Sequence, residues 1–210
     1  QLAGGNLGCS DSCTFDTSDC KPCWTYPCGP YGQTDAPDTL VENFSFEPAN
    51  QAAIDIAGDN NLLELSDPYG MNVEHGGTLK GILFYQAAAW CPYCAQTSRY
   101  LNELYLKHKD EGILFVAVLW QNASREDASI EDAVAYANDY DWSFPTVIGK
   151  IPNKYNPSMG VPSAINLDAA TMRLFSAVQL SKGALDLQLR TLAERSGDYR
   201  GPAEVGTAEF

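Results

Sequence analysis

Residues 81–105 read GILFYQAAAWCPYCAQTSRYLNELY, and this stretch decides the fold. Ile82-Leu83-Phe84-Tyr85 is apolar without a helical period and is bounded by Gly81, which predicts a strand buried on both faces and running on to Trp90. Behind Cys94, Leu101, Leu104 and Tyr105 recur at helical spacing, and Pro92 falls in the first turn, where its missing N–H costs nothing. Strand and helix therefore meet at Cys91, which is expected to cap the helix.

That position has chemistry. Unpaired N–H groups and the positive end of the helix dipole stabilise an anion, so a solvent-reachable Cys91 is expected to favour its thiolate. Cys94 lies one turn further along the same helix, close enough to close a small disulfide ring. A Cys-x-x-Cys couple of this kind lets one thiolate attack a foreign disulfide while its neighbour resolves the mixed species. Two other readings stay open at this point. A zinc ribbon wants a second Cys-x-x-Cys roughly 15–20 residues away, whereas Cys20-Lys21-Pro22-Cys23 lies far upstream. A purely structural disulfide is the other, although so short a loop makes a poor staple.

At 210 residues the chain suits one well-packed domain with an appendage, and 45% hydrophobic content says globular. A net charge of −14 argues against nucleic acid or anionic membrane as a partner. No apolar run approaches the roughly 20 residues of a membrane span. Residues 1–37 are poor in Leu, Ile and Val but hold Cys9, Cys13, Cys20, Cys23 and Cys28. They read as an extension stapled by disulfides, odd in number and so leaving at least one thiol over. Such cysteine usage, with a start at Gln1 and no signal peptide, fits a processed chain exported to a periplasm or beyond. Asn6-Leu7-Gly8 is a poor match to a lipid-attachment signal at Cys9, and Asp11, Asp16 and Asp19 lack the glycine and terminal glutamate of a calcium loop. No metal site is expected.

Residues 38–198 carry the remaining elements, with 199–210 as a tail. Short strands are expected at Phe44–Phe46 and Leu62–Leu65, followed by a turn at Gly76-Gly77. Past Gly112, Ile113–Leu119 predicts a second buried strand. Ser129 and Asp132 suggest a variant capping box for a helix with Ile130, Ala133, Val134 and Ala137 on one face. Thr146–Ile148 reads as a short strand, Ile151–Gly160 as a loop, and Ser163–Leu167 and Leu174–Val178 as strands about an Asp168–Ala170 turn. Leu185, Leu189 and Leu192 stripe a last helix from about Ser181 to Gly197.

This order resembles the thioredoxin fold, an α/β architecture with a central mixed sheet flanked by helices. Three features carry the likeness: Trp90-Cys91-Pro92-Tyr93-Cys94 after the first core strand, Gly160-Val161-Pro162-Ser163 before a later one, and the two-stranded return to a final helix. The long N-terminal extension is similar to the TlpA/ResA branch of exported thiol-disulfide oxidoreductases. The resemblance implies a redox-active Cys91/Cys94 disulfide with no other cofactor, protein thiols and disulfides as substrates, and an unidentified redox partner protein. It implies supporting roles for Trp90, Pro92 and Tyr93, and a cis peptide at Val161–Pro162 packed on the pair, with Val161 offering backbone to a partner strand. The chain departs from the branch where a proton-shuttling carboxylate is expected. Tyr85 stands six residues before Cys91, where many thioredoxins carry Asp, and Thr97 six after it, where ResA-type proteins carry Glu; either Tyr85 or water substitutes, or proton transfer is slow. Two alternatives remain: a copper chaperone of the SCO type, for which the histidines are His75 and His108, and a redox-inactive binding module on the same fold.

Overall fold

The computed structural model describes residues 2–3, 8–9, 15–16, 21–22, 26–27, 30–74, 78–156, 160–177 and 180–195. The expected cysteine staples fall outside this set, except that Cys9 lies in a two-residue ladder with Phe15. From residue 45 the elements run β1 (Ser45–Pro48), α1 (Gln51–Ala57), β2 (Leu63–Glu64), α2 (Ser66–Glu74), β3 (Gly81–Ala88), α3 (Pro92–His108) and β4 (Ile113–Gln121). They continue with α4 (Ile130–Asp139), β5 (Thr146–Ile148), β6 (Ser163–Asp168), β7 (Arg173–Ala177) and α5 (Lys182–Arg195).

One sheet of order β7-β6-β3-β4-β5-β1-β2 organises these elements. β3, β4 and β5 are parallel, as helical crossovers require. β6 and β7 return antiparallel on one side of β3, and β1 pairs antiparallel with β5 on the other. β3 is central and buried at every residue, which is why its sequence is continuously apolar rather than alternating. Its odd residues Leu83, Tyr85 and Ala87 face α3, α4 and α5, whose Leu101, Leu104, Ala133, Leu185, Leu189 and Leu192 complete that core layer. Its even residues Ile82 and Phe84 face a second layer holding Phe46, Ala53, Leu63 and Tyr155. Tyr26 and Tyr31, inside the expected extension, pack against this second layer, and the Tyr26 hydroxyl donates to the Val41 carbonyl at 2.9 Å.

The capping box appears as expected: the Ser129 hydroxyl accepts the Asp132 N–H at 3.2 Å while the Asp132 carboxylate accepts the Ser129 N–H at 3.0 Å. Two expectations need correction. β3 stops at Ala88 rather than Trp90, because Cys91 N–H turns back to the Ala88 carbonyl at 3.1 Å and closes a turn over residues 89–90. Between the short strands β1 and β2 lies a helix, α1, started by Asn50, whose side chain accepts the Ala53 N–H, and a second helix follows β2. Both are short, and their burial comes from the sheet they cover rather than from a long apolar stripe of their own.

A candidate dithiol site at the start of the central helix

Cys91 caps α3. Its backbone is extended (φ −92°, ψ 113°), Pro92 fills the first turn, and its sulfur accepts the Cys94 N–H at 3.2 Å. The two sulfurs are thiols in this structure. Cys94 is wholly buried, and Cys91, expected to meet solvent, is only 4% exposed. The cover comes from the loop ahead of β6: the Val161–Pro162 peptide is cis, and the Val161 carbonyl receives the Cys91 thiol at 3.7 Å. That carbonyl, expected to be open to a partner strand, is engaged with Cys91 here. Tyr93 projects outward, 72% exposed, and Trp90 lies half-buried with its indole N–H on the Gln121 side-chain oxygen at 3.0 Å.

The loop that delivers Pro162 is pinned from beneath. Gln86 of β3 accepts the Ile151 N–H at 2.6 Å, and Asn156 donates to the Ser163 hydroxyl at 2.9 Å. Ser163 is itself the register partner of Gln86, so the loop closes on the same rung of the sheet from which it departs.

Behind Cys94 stands a chain of hydroxyls. Tyr85 donates to the Cys94 carbonyl at 3.1 Å and lies 3.4 Å from the Ser98 hydroxyl, which is 3.1 Å from that of Tyr136. Tyr85 has one proton and spends it on the carbonyl, so Ser98 donates to Tyr85 and Tyr136 to Ser98. The Trp142 indole N–H fastens the Ser98 carbonyl at 3.1 Å. Thr97 is buried. Burial pushes the Cys94 thiol well up, and the contact with Cys91 adds to this. Burial likewise drives the Tyr85 and Tyr136 phenols above their ordinary value. These groups are neutral through the physiological range, and Tyr85 acts on Cys94 as an anchor rather than a base. Ser98, Tyr136, Trp142 and Gln121 carried no local signal; their partners lie 13 to 44 residues away in sequence.

Other candidates lie elsewhere. His108 sits at the far end of α3, fully buried, with one ring nitrogen 2.6 Å from Glu111 and the other 2.7 Å from Asp186. Both nitrogens are thus occupied by carboxylates, away from the sulfurs. His75, Cys13, Cys20, Cys23 and Cys28 lie outside the described residues. Glu103 pairs with Lys182 at 2.6 Å, turned away from Cys94 as its helical spacing implies.

No protein-family model matches the chain. Thiol-disulfide oxidoreductase ResA of Bacillus thuringiensis (strain Al Hakam) is 29% identical over 104 residues, 50% of each chain. ResA of Geobacillus kaustophilus is 29% identical over 121 residues, 56% of this chain and 65% of that one. The chain spans about half the length of the first curated relatives it matches. Among solved structures, the thioredoxin domain of a thiol-disulfide oxidoreductase from Bacteroides vulgatus superposes with a TM-score of 0.55 at 17% identity, covering 75% of this chain and 98% of that one. A thiol:disulfide interchange protein from Bacteroides sp. gives 0.54 at 18% identity over 84% and 97%. At such identities the structures speak for the fold alone. The chain has a thioredoxin-like fold, and over about half its length it is similar to thiol-disulfide oxidoreductases named ResA.

Proposed function

We propose that the protein is an extracytoplasmic thiol-disulfide oxidoreductase that exchanges disulfides with protein partners through Cys91 and Cys94. One observation carries the division of labour: the Cys91 sulfur is held at the helix cap by the Cys94 N–H, whereas the Cys94 thiol is sealed among neutral groups. A donor N–H aimed at the first sulfur supports negative charge there. Acting as reductant, the Cys91 thiolate attacks one sulfur of a partner disulfide, forming a mixed disulfide and expelling the partner's other sulfur as thiolate. Cys94 then loses its proton and attacks the Cys91 sulfur, which releases the second partner thiolate and closes the Cys91–Cys94 bond. Two electrons pass to the partner, and two protons end on its thiols; oxidation of a partner dithiol is the same sequence reversed. The couple carries the electrons itself, without a further cofactor.

The ResA relatives and the cysteine-rich first 28 residues support an exported setting. Among the described residues no helix is long and apolar enough to cross a membrane. The test is trapping. Cys94→Ser leaves an attacker without a resolver, so mixed disulfides with partner proteins accumulate on Cys91 and disappear with reductant, while Cys91→Ser retains almost none. Equal trapping by the two variants overturns the roles, and no trapping by either overturns the exchange reading.

A further inference from the structure

Trp90, the residue before Cys91, is held in a bracket that pairing of the cysteines does not require. β4 ends beside Ala88, and there Gln121 uses its oxygen on the Trp90 indole and its amide N–H on the Arg125 carbonyl, each at 3.0 Å. The loop to Arg125 is drawn tight by Asn122, whose side chain accepts the Ser124 and Glu126 N–H groups at 2.9 and 3.1 Å. Arg125 itself has φ 68°, a left-handed conformation that suits glycine or asparagine and that an arginine enters at a cost. The result is a guanidinium laid 4.5 Å from the centre of the Trp90 ring.

Stacking engages the face of a guanidinium and leaves its edge of N–H donors open. Arg125 makes no ion pair among the described residues, although acids outnumber bases 27 to 13 in this chain. Lys150 repeats the arrangement at the same end of the sheet: its ammonium stands 4.4 Å from the centre of the Trp120 ring, it too makes no ion pair among the described residues, and Trp120 adjoins Gln121. An acidic protein thus keeps two cations on indoles at the end of the sheet from which the dithiol helix departs, with no carboxylate ion pair to either among the described residues.

We propose that Arg125 on Trp90 and Lys150 on Trp120 form a recognition edge that selects protein partners whose reacting cysteine is flanked by acidic side chains. The proposal rests on the exchange reading above and adds what kind of segment the site prefers. The exposed Tyr93 and half-buried Trp90 supply apolar contact for the segment, and the two cations supply the sign. Glu126 and Asp127 follow Arg125 and are exposed, and the whole chain repels acids at long range. Recognition therefore works by contact, within a Debye length, and is best read at physiological salt, where the long-range field is screened over about 8 Å.

The probes are three synthetic peptide homodisulfides alike except that the cysteine is flanked by Asp, Ser or Lys on both sides. Their reduction by the reduced full chain is followed at about 0.15 M salt, each rate divided by that with dithiothreitol to remove the peptide's own reactivity. The Asp peptide should exceed the Ser peptide by about three- to tenfold, with the Lys peptide slowest. In the double variant Arg125→Gln, Lys150→Gln the Asp-to-Lys ratio should fall towards one. Arg125→Gly paired with Lys150→Gln, whose glycine suits the backbone at 125, should lose the preference equally and guards against a misfolded loop. Equal normalised rates in the native chain, or a preference that survives in both double variants, overturns the recognition edge while exchange itself stands. If no peptide reacts faster with the native chain than with Cys91→Ser, the exchange reading falls and the recognition edge with it.

Discussion

The two ends of α3 are built from opposite chemistry. At the N-terminal end Cys94 is surrounded by the hydroxyls of Tyr85, Ser98 and Tyr136 and by Trp142, all uncharged. About 21 Å away along the helix, His108 lies between Glu111 and Asp186, and Lys107 reaches both Asp186 oxygens at 2.7 and 2.9 Å. Each end is fully hydrogen-bonded, so satisfaction is not the difference. Charge is placed where α3 is bolted to its neighbour α5, and uncharged groups surround the buried Cys94 thiol, which on the proposed exchange keeps its proton until a partner is bound. A carboxylate beside Cys94 would speed proton removal; a hydroxyl chain ending on a backbone carbonyl fixes the first turn without doing so.

The largest effect that separates the two ends is in pH. Burial holds the Cys94 thiol well above its ordinary value, so its thiolate fraction should climb about tenfold per unit, or about a thousandfold between pH 6 and 9. Release of a partner from a preformed mixed disulfide on Cys91 should show that slope in stopped-flow traces. A plateau below pH 9 would reveal a base behind Cys94 and erase the contrast.

At the other end, Asp186→Asn should lower stability by about 2–3 kcal/mol in urea unfolding at pH 7, because His108 and Lys107 lose a shared charged acceptor. Lys107 beside it holds the Asp186 carboxyl below the usual carboxylate range. A depressed carboxyl contributes stability that is present above its unfolded value and lost as pH falls through its folded one. The gap between native and variant should therefore close on acidification below about pH 4. Equal stability at pH 7 would show that the far end is not a bolt.

Tyr85→Phe is the smallest and sharpest probe. Removing the hydroxyl frees the Cys94 carbonyl of one donor and leaves Ser98 short of an acceptor, at about 1 kcal/mol. The pH slope of partner release should not change, since an anchor rather than a base has been removed. A flattened or shifted profile would make Tyr85 a proton carrier.

What could be read in advance was what is local. Pro92 after Cys91, Ser129 before Asp132 and the apolar run from Ile82 each act within one turn or one strand, and each appears where expected. The cis bond at Val161–Pro162 was legible only through the family's pattern. The helices α1 and α2 were missed because each buries only a few side chains and neither has a sustained apolar stripe; Asn50 was the one local sign, a cap with its N–H partner three residues on. The surroundings of Cys94 were legible as an absence of carboxylates at 85 and 97, but not as a structure, since Tyr136 reaches Ser98 across 38 residues and Trp142 across 44. The Arg125 bracket depends on a positive φ that nothing about an arginine in a polar loop announces.

At the start of the central strand, a Cβ on Gly81 would lie 2.2 Å from Leu192 of α5 and 3.2 Å from Ile113 of β4. The spacing between helix and sheet is thus written into two positions more than a hundred residues apart. A methyl gained at 81 would require Leu192 to turn aside or be shortened, or α5 to ride outward. Covariation of this pair would mark descent of the scaffold even in relatives whose cysteines have been lost, because it registers the distance between two layers and is indifferent to the sulfur chemistry carried above them.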